Sequence, residues 1–146
     1  MIVIDRARIA TIIPHAGTMC LLDGVLRWDE VSLRCVSRRF RDPDNPLRRA
    51  DGTLGSASGI EIAAQAMAVH GSLVAGKDGR PARAYLASLR DVWLRTQALD
   101  VVSGELIVDA ERLAENADGA NYRFAVAGGG VELIRGRATV RFAAAQ

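Results

Sequence analysis

The chain is expected to fold as an α+β protein, an antiparallel sheet curved around one enclosed helix, and three observations carry that expectation. Its carboxy-terminal half reads as successive strands separated by turn residues. One Ala-rich stretch, from Ile60 to about Val74, is apolar on nearly every face, so something must enclose it. At 146 residues the chain suits a single domain, 1–146, with one core burying roughly two-thirds of the unfolded surface.

Taken in order, the amino-terminal MIVIDRARIATII interrupts its apolar residues with Asp5, Arg6 and Arg8. It therefore lacks the continuous apolar run of a secretory signal or a membrane span, and a cytoplasmic protein is expected. Pro14 ends any helix over Ile9 to Ile13. CLLDGVLRWD reads as a strand leading into VSLRCVSRRF, where Val31, Leu33 and Cys35 alternate with Ser32, Arg34 and Val36. RDPDNPLRRADGTLGSASG is loop chemistry, rich in Pro, Gly, Asp and Asn. It ends at Ser58, three residues before Glu61, and Ser-x-x-Glu ahead of an apolar run predicts a capping box with Ser58 as N-cap. After a turn at Lys77 to Pro81, ARAYLASLRDVWL, VVSGELIVDAERLAE, NYRFAVAG and VELIRGRATVRFA follow as four strands in meander order. In the last of them Ile134, Gly136, Ala138, Val140 and Phe142 alternate with Arg135, Arg137, Thr139 and Arg141, so one face packs and the other is wet. Short strands, one enclosed helix and four longer strands are the layout of a hotdog fold, in which a second subunit usually covers what the sheet does not.

The two cysteines, Cys20 and Cys35, have no CxxC spacing and no partners for a metal cluster, so they read as core thiols in a reducing compartment; no metal site is expected. Net charge is only +2. Without zinc spacing, aromatic interleaving or a large basic excess, nucleic acid is not an expected partner. The basic residues are nearly all arginine, and Arg38, Arg39, Arg41, Arg48 and Arg49 crowd one segment. Their planar donor forks suit carboxylate and phosphate.

Chemistry concentrates in GIEIAAQAMAVHG, residues 59–71, which sets Glu61, Gln65 and His70 in an otherwise apolar run. An ionised carboxylate in a low-dielectric interior is costly unless paired, so Glu61 lies at an edge or performs work. At about 100° per residue Gln65 lies about 40° from Glu61 and shares its face, whereas His70 lies about 180° away. Gln65 can orient Glu61, hydrogen-bond a substrate oxygen, or satisfy backbone in the core. His70 reads as a packed or capping histidine near the helix end.

Two motifs carry a family resemblance. PHAGTMCLLDGVLRWD resembles the amino-terminal Pro-His...Leu-Leu-Val-Asp-Arg-Val signature of FabZ-type 3-hydroxyacyl-carrier-protein dehydratases, and GIEIAAQAMA resembles their central-helix motif of a glutamate followed four residues later by glutamine. The combination looks closest to the dehydratase-like proteins of aryl-polyene type clusters. One departure stands out. The family's Gly-His-Phe-Pro histidine falls fourteen residues before the glutamate, and here that position is Leu47. Of the two histidines in the chain, His15 follows Pro14 in the first motif and is the better candidate for a base.

The resemblance implies dehydration of a (3R)-3-hydroxyacyl-[acyl-carrier-protein] to the trans-2-enoyl thioester. It makes His15 the base at C2 and Glu61 the acid or water-orienting group at C3. Gln65 and the backbone amides from Gly55 to Gly59 are the substrate-binding candidates. It further implies a homodimer or a pairing with a related hotdog subunit. No bound cofactor is expected, the substrate arriving on the phosphopantetheine arm of an acyl carrier protein docked on Arg38, Arg39, Arg41, Arg48 and Arg49. A hotdog acyl-thioesterase and a non-catalytic partner subunit are the alternatives.

Overall fold

A computed structural model describes residues 1–13, 19–76, 84–100 and 102–142. One long helix, α2 (Ala57–Ala75), lies against a seven-stranded antiparallel sheet. The strands are β1 (Ile4–Asp5), β2 (Gly24–Trp28), β3 (Ser32–Ser37), β4 (Ala84–Leu94), β5 (Leu106–Asn116), β6 (Gly119–Gly128) and β7 (Val131–Phe142). This is the expected α+β hotdog architecture.

The strand order is β1-β2-β3-β5-β6-β7-β4, so only β5, β6 and β7 form a meander. β4 does not precede β5 in the sheet as expected. It pairs with β7 at the far edge, Leu86 opposite Val140 and Leu94 opposite Ile134. The reason is the helix: α2 carries the chain across the concave face, so the next strand lands at the opposite edge and β5 returns to pair with β3. Turn chemistry holds at the other corners. Asn116 Oδ1 accepts from the amides of Asp118 and Gly119, and Gly129 and Gly130 take positive φ between β6 and β7.

A short helix, α1 (Arg6–Ile12), lies between β1 and β2 where only an apolar segment was foreseen. Asp5 is its N-cap, accepting from the Arg8 amide at 2.9 Å, and it buries Ile9 against the core beside α2. The start of α2 also differs from expectation. Ser56, not Ser58, is the N-cap, with no side-chain cap bond. Ser58 therefore lies in the first turn and Glu61 in the second, and the capping box does not form. The turn predicted at Lys77 to Pro81 falls outside the described residues.

α2 packs chiefly on β5, with β3 and β6 beside it. Ile62, Ala66, Met67 and Val69 are buried there together with Leu33, Val108, Phe124 and Val126. Burying one such Val, Ile or Phe side chain contributes about 1.5–3 kcal/mol. The enclosure is incomplete on two counts. Ile60, Ala64 and Ala68 form a stripe along α2 that is only partly buried, and Leu89, Val92 and Leu94 of β4 are exposed at 39%, 36% and 46%. Cys20 and Cys35 are free, buried thiols, and burial pushes the Cys35 pKa far up.

Candidate functional site

Glu61 sits in the second turn of α2, half-buried, between the fully buried neighbours Gly59 and Ile62 and the half-buried Ile60. It is the one carboxylate that the helix carries. Gln65, one turn on, is 1% exposed, and both ends of its amide are engaged by backbone. Nε2 donates to the Met19 carbonyl at 2.7 Å, and Oε1 accepts from the Leu21 amide at 3.0 Å. Of the roles read from the sequence, the structure displays the satisfaction of buried backbone.

From Cys20 to Asp23 the segment so held belongs to neither helix nor strand, although Cys20, Leu21 and Leu22 are buried. Its backbone needs partners that no ladder supplies. Three elements provide them. Besides Gln65 of α2, Arg6 Nη2 of α1 donates to the Cys20 carbonyl at 3.2 Å, and Ser37 Oγ of β3 donates to the Leu21 carbonyl at 2.6 Å. The Asp23 amide then joins Val36 at 2.9 Å, where the sheet begins. His15, the base expected from the first motif, lies outside the described residues, four positions before Met19.

The approach to the helix is built from small residues. A Cβ at Gly59 would stand 2.4 Å from Ile134 Cδ1, so a side chain there requires Ile134 to move, and the Gly59 amide donates to the Ser56 carbonyl at 2.9 Å. The Ser58 amide donates to the Gly55 carbonyl at 3.0 Å and the Ser56 amide to Gln97 at 3.0 Å. Among the described residues this leaves the Gly55 amide, within the expected Gly55 to Gly59 run, without an acceptor of its own. The Arg49 guanidinium lies over Gly55, with Nη2 2.6 Å from where a Cβ would stand.

The other arginines of that segment are engaged within the chain. Arg38 pairs with Glu105 at 3.0 Å, and Arg39 with Asp23 at 3.3 Å and Asp42 at 3.6 Å. Arg48 donates to the carbonyls of Arg41, Asp42 and Gly52, tying the loop to itself. Arg41 stacks over Phe40.

His70 is fully buried, far from Glu61 on the helix, as the periodicity implied. Nε2 lies 2.9 Å from the Asp29 carbonyl, which can only accept, so Nε2 carries the proton. Nδ1 therefore accepts from the Tyr122 hydroxyl at 2.8 Å. Burial lowers the His70 pKa below its ordinary value, outweighing the opposing hydrogen bond to Asp29, and burial pushes Tyr122 up to about 12. This is the packed histidine that the sequence suggested. Its partner, Tyr122, lies on a strand 52 residues away, and no local pattern announces it. Ser37 and Arg6 as supports of the Met19 segment were likewise unforeseen, for the same reason.

Among the described residues no group of three or more His, Cys, Asp or Glu side chains is arranged to hold a metal, and no helix is long and apolar enough to cross a membrane. A search among curated proteins returns no match. Among solved structures, the dehydratase heterocomplex ApeI:P from Xenorhabdus doucetiae is similar at TM-score 0.83 and 20% identity, over 93% of this chain and 91% of that one. Zebrafish thioesterase superfamily member 2 is similar at TM-score 0.63 and 12% identity, over 94% and 95%. A mutant of the thioesterase PA1618 from Pseudomonas aeruginosa follows at TM-score 0.59 and 13% identity, over 82% and 79%. These likenesses establish the hotdog fold. The family model described as ApeP-like, ApeP dehydratase, matches residues 7–144, and on that match the chain belongs to the ApeP-like dehydratase family.

Proposed function

We propose that this dehydratase removes water from a (3R)-3-hydroxyacyl thioester borne by an acyl carrier protein, giving the trans-2-enoyl thioester in polyene synthesis, and does so with a hotdog partner subunit. The observation that carries the reading is the half-buried Glu61, the one carboxylate of α2, one turn from a glutamine whose amide holds Met19 and Leu21. The C2 proton is weakly acidic and hydroxide is a poor leaving group, so the reaction needs a base and an acid. His15 takes the C2 proton while Glu61 gives its proton to the departing C3 hydroxyl, which leaves as water. The electron pair of the C2–H bond becomes the new C2–C3 double bond. The Gly55 amide, near the amino-terminal end of α2, is the donor we assign to the thioester oxygen, which gains charge in the transition state. Arg38, Arg39, Arg41, Arg48 and Arg49 are the proposed docking side for the acidic carrier protein. Four of them shape the loop, which leaves Arg49, over Gly55, best placed to meet the phosphopantetheine arm. No bound cofactor enters the reaction.

The test is the mass of the acyl group after incubation of 3-hydroxyacyl carrier protein with the chain and its partner. Loss of water supports dehydration; a freed acid supports a thioesterase. Loss of water that persists undiminished with His15→Ala in place would overturn the base assignment and favour a non-catalytic partner role for this chain, a role that a family likeness to one half of a heterocomplex makes worth separating.

The partner's seat follows from the incomplete enclosure. β4 pairs on one side only, with β7, and carries the exposed Leu89, Val92 and Leu94. A long apolar edge strand invites pairing with another chain. We place the partner there, over the Ile60, Ala64 and Ala68 stripe as well. The double change Leu89→Lys, Val92→Lys is expected to weaken association by at least about 100-fold, since each buried unpaired charge costs several kcal/mol. Light scattering on the mixed subunits reads this out, and an intact complex would move the interface elsewhere.

A further inference from the structure

We propose that the wet face of the sheet carries a site for a dianionic phosphate group, free or as a monoester, held between Arg90 of β4, Arg137 of β7 and the side-chain amide of Asn121 on β6. The inference does not rest on the dehydration proposed above.

Register brings the cations together. Arg137 stands directly opposite Arg123 on one side and Arg90 on the other, so three arginines share one row across β6, β7 and β4. All three are exposed, while Gly136 and Ala138, which flank Arg137 on β7, are buried on the opposite face. Like charges set directly opposite one another destabilise a sheet. Elsewhere on this face each arginine of a pair has its carboxylate: Arg34 meets Asp109 at 2.7 Å, Arg135 meets Glu132 at 3.3 Å, and Arg123 itself meets Glu111 at 3.4 Å. Among the described residues Arg90 and Arg137 have no such partner. An anion lying between them offsets their repulsion. The adjoining row supplies a further donor. Asn121 and Thr139 are opposite each other on β6 and β7, and the Thr139 hydroxyl donates to Asn121 Oδ1 at 2.8 Å. The amide is thereby oriented, and Nδ2, with two protons, has no acceptor among the described residues. Arg90, Arg137, Asn121 and Thr139 line a groove of about 240 Å³, to which Leu113 and Ala114 of β5 add an apolar wall, and no carboxylate lines it. The two other grooves described on this face do contain acids, Asp109 and Glu111 in one, Asp91 and Glu132 in the other, and would repel an anion. A single carboxylate satisfies one guanidinium fork. Two forks and an amide call for two negative charges and three acceptor oxygens, which a phosphate group supplies. Leu89, proposed above to meet the partner subunit, belongs to the other face of β4, opposite the buried Ala138.

The experiment titrates inorganic phosphate, phenyl phosphate and acetate into the full chain at fixed ionic strength, followed by calorimetry and by the NMR signal of the Asn121 side-chain amide. Inorganic phosphate is expected to saturate a single site and to shift that signal, with acetate at least about 10-fold weaker. Phenyl phosphate held at least about threefold more tightly identifies a monoester whose apolar body lies on Leu113, and equal affinities identify free phosphate as the ligand. Arg90→Gln and Arg137→Gln are each expected to weaken phosphate at least about 10-fold, and Arg137→Lys at least about threefold, because it keeps the charge and loses the fork. Arg27 of β2 is the control, an exposed arginine on the same face opposite Arg34. Arg27→Gln removes the same charge and is expected to change the affinity by less than about twofold. Each substitution is at an exposed position, so the fold is kept, and urea unfolding checks that. No saturable binding, an Asn121 signal that does not move, or equal losses in Arg27→Gln and Arg137→Gln would each overturn the site.

Discussion

Replacing Glu61 by Gln is expected to lower kcat for water release by about 100- to 10,000-fold, the usual worth of a positioned acid or base. The expected change in folding stability is less than about 1 kcal/mol, typical of a change at a partly exposed position. The substitution keeps the volume and the hydrogen-bonding shape of the side chain but removes the proton that the departing hydroxyl requires. The structure makes the result interpretable. Had Glu61 been part of a capping box with Ser58, loss of activity could be blamed on a frayed helix. The N-cap is Ser56, and Glu61 lies a turn further in, where it closes no cap. Single-turnover mass measurement of the acyl group, with urea unfolding alongside, checks both halves. Full turnover with Gln at this position would remove Glu61 from the reaction.

The second large effect is on stability. His70→Leu is expected to destabilise the fold by about 1–3 kcal/mol, because it leaves the buried Tyr122 hydroxyl without its partner, the cost of one orphaned buried group. The histidine also sets a pH dependence. Its pKa in the fold is held below the ordinary 6.5, chiefly by burial. Above pH 6.5 neither the folded nor the unfolded state is protonated there, and the contribution is complete. As the pH falls below 6.5 the unfolded chain takes up the proton first, so stability declines until the folded pKa is reached. Protonation also forces Nδ1 to become a donor toward Tyr122, whose hydroxyl must then turn its own proton away. Among the charged groups that act on the ring, Arg112 of β5 lowers the pKa together with burial, whereas Asp29 of the β2–β3 turn and Glu115 of β5 raise it and are outweighed. Urea midpoints between pH 8 and pH 5 should fall for wild type and flatten for His70→Leu. A slope that survives in the variant would assign the dependence to another group.

Much of this was legible in the chain because it follows from local periodicity. The two-residue alternation through Ile134 to Arg141 needs only a sheet with one wet face, and the Ala-rich run around Glu61 needs only enclosure. The face shared by Glu61 and Gln65, and the opposite placement of His70, follow from 3.6 residues per turn. What escaped the reading was of two kinds. The N-cap of α2 was displaced by two residues because the Ser-x-x-Glu pattern singles out Ser58, whereas the backbone turns helical after Ser56, which makes no side-chain cap bond. α1 has seven residues, too few to be stable alone, and it exists because Ile9 finds the core.

By itself, then, the amino-acid order determined the types of the longer elements, the enclosed helix and the identity of its polar residues, since each depends on neighbours within a turn or two of chain. Only the tertiary structure decided that β4 occupies the edge, that Tyr122 meets His70 and that Gln65 grips Met19 and Leu21. Those outcomes join positions more than forty residues apart. They are set by which surfaces fit once α2 has crossed the sheet, a condition that no window of sequence contains.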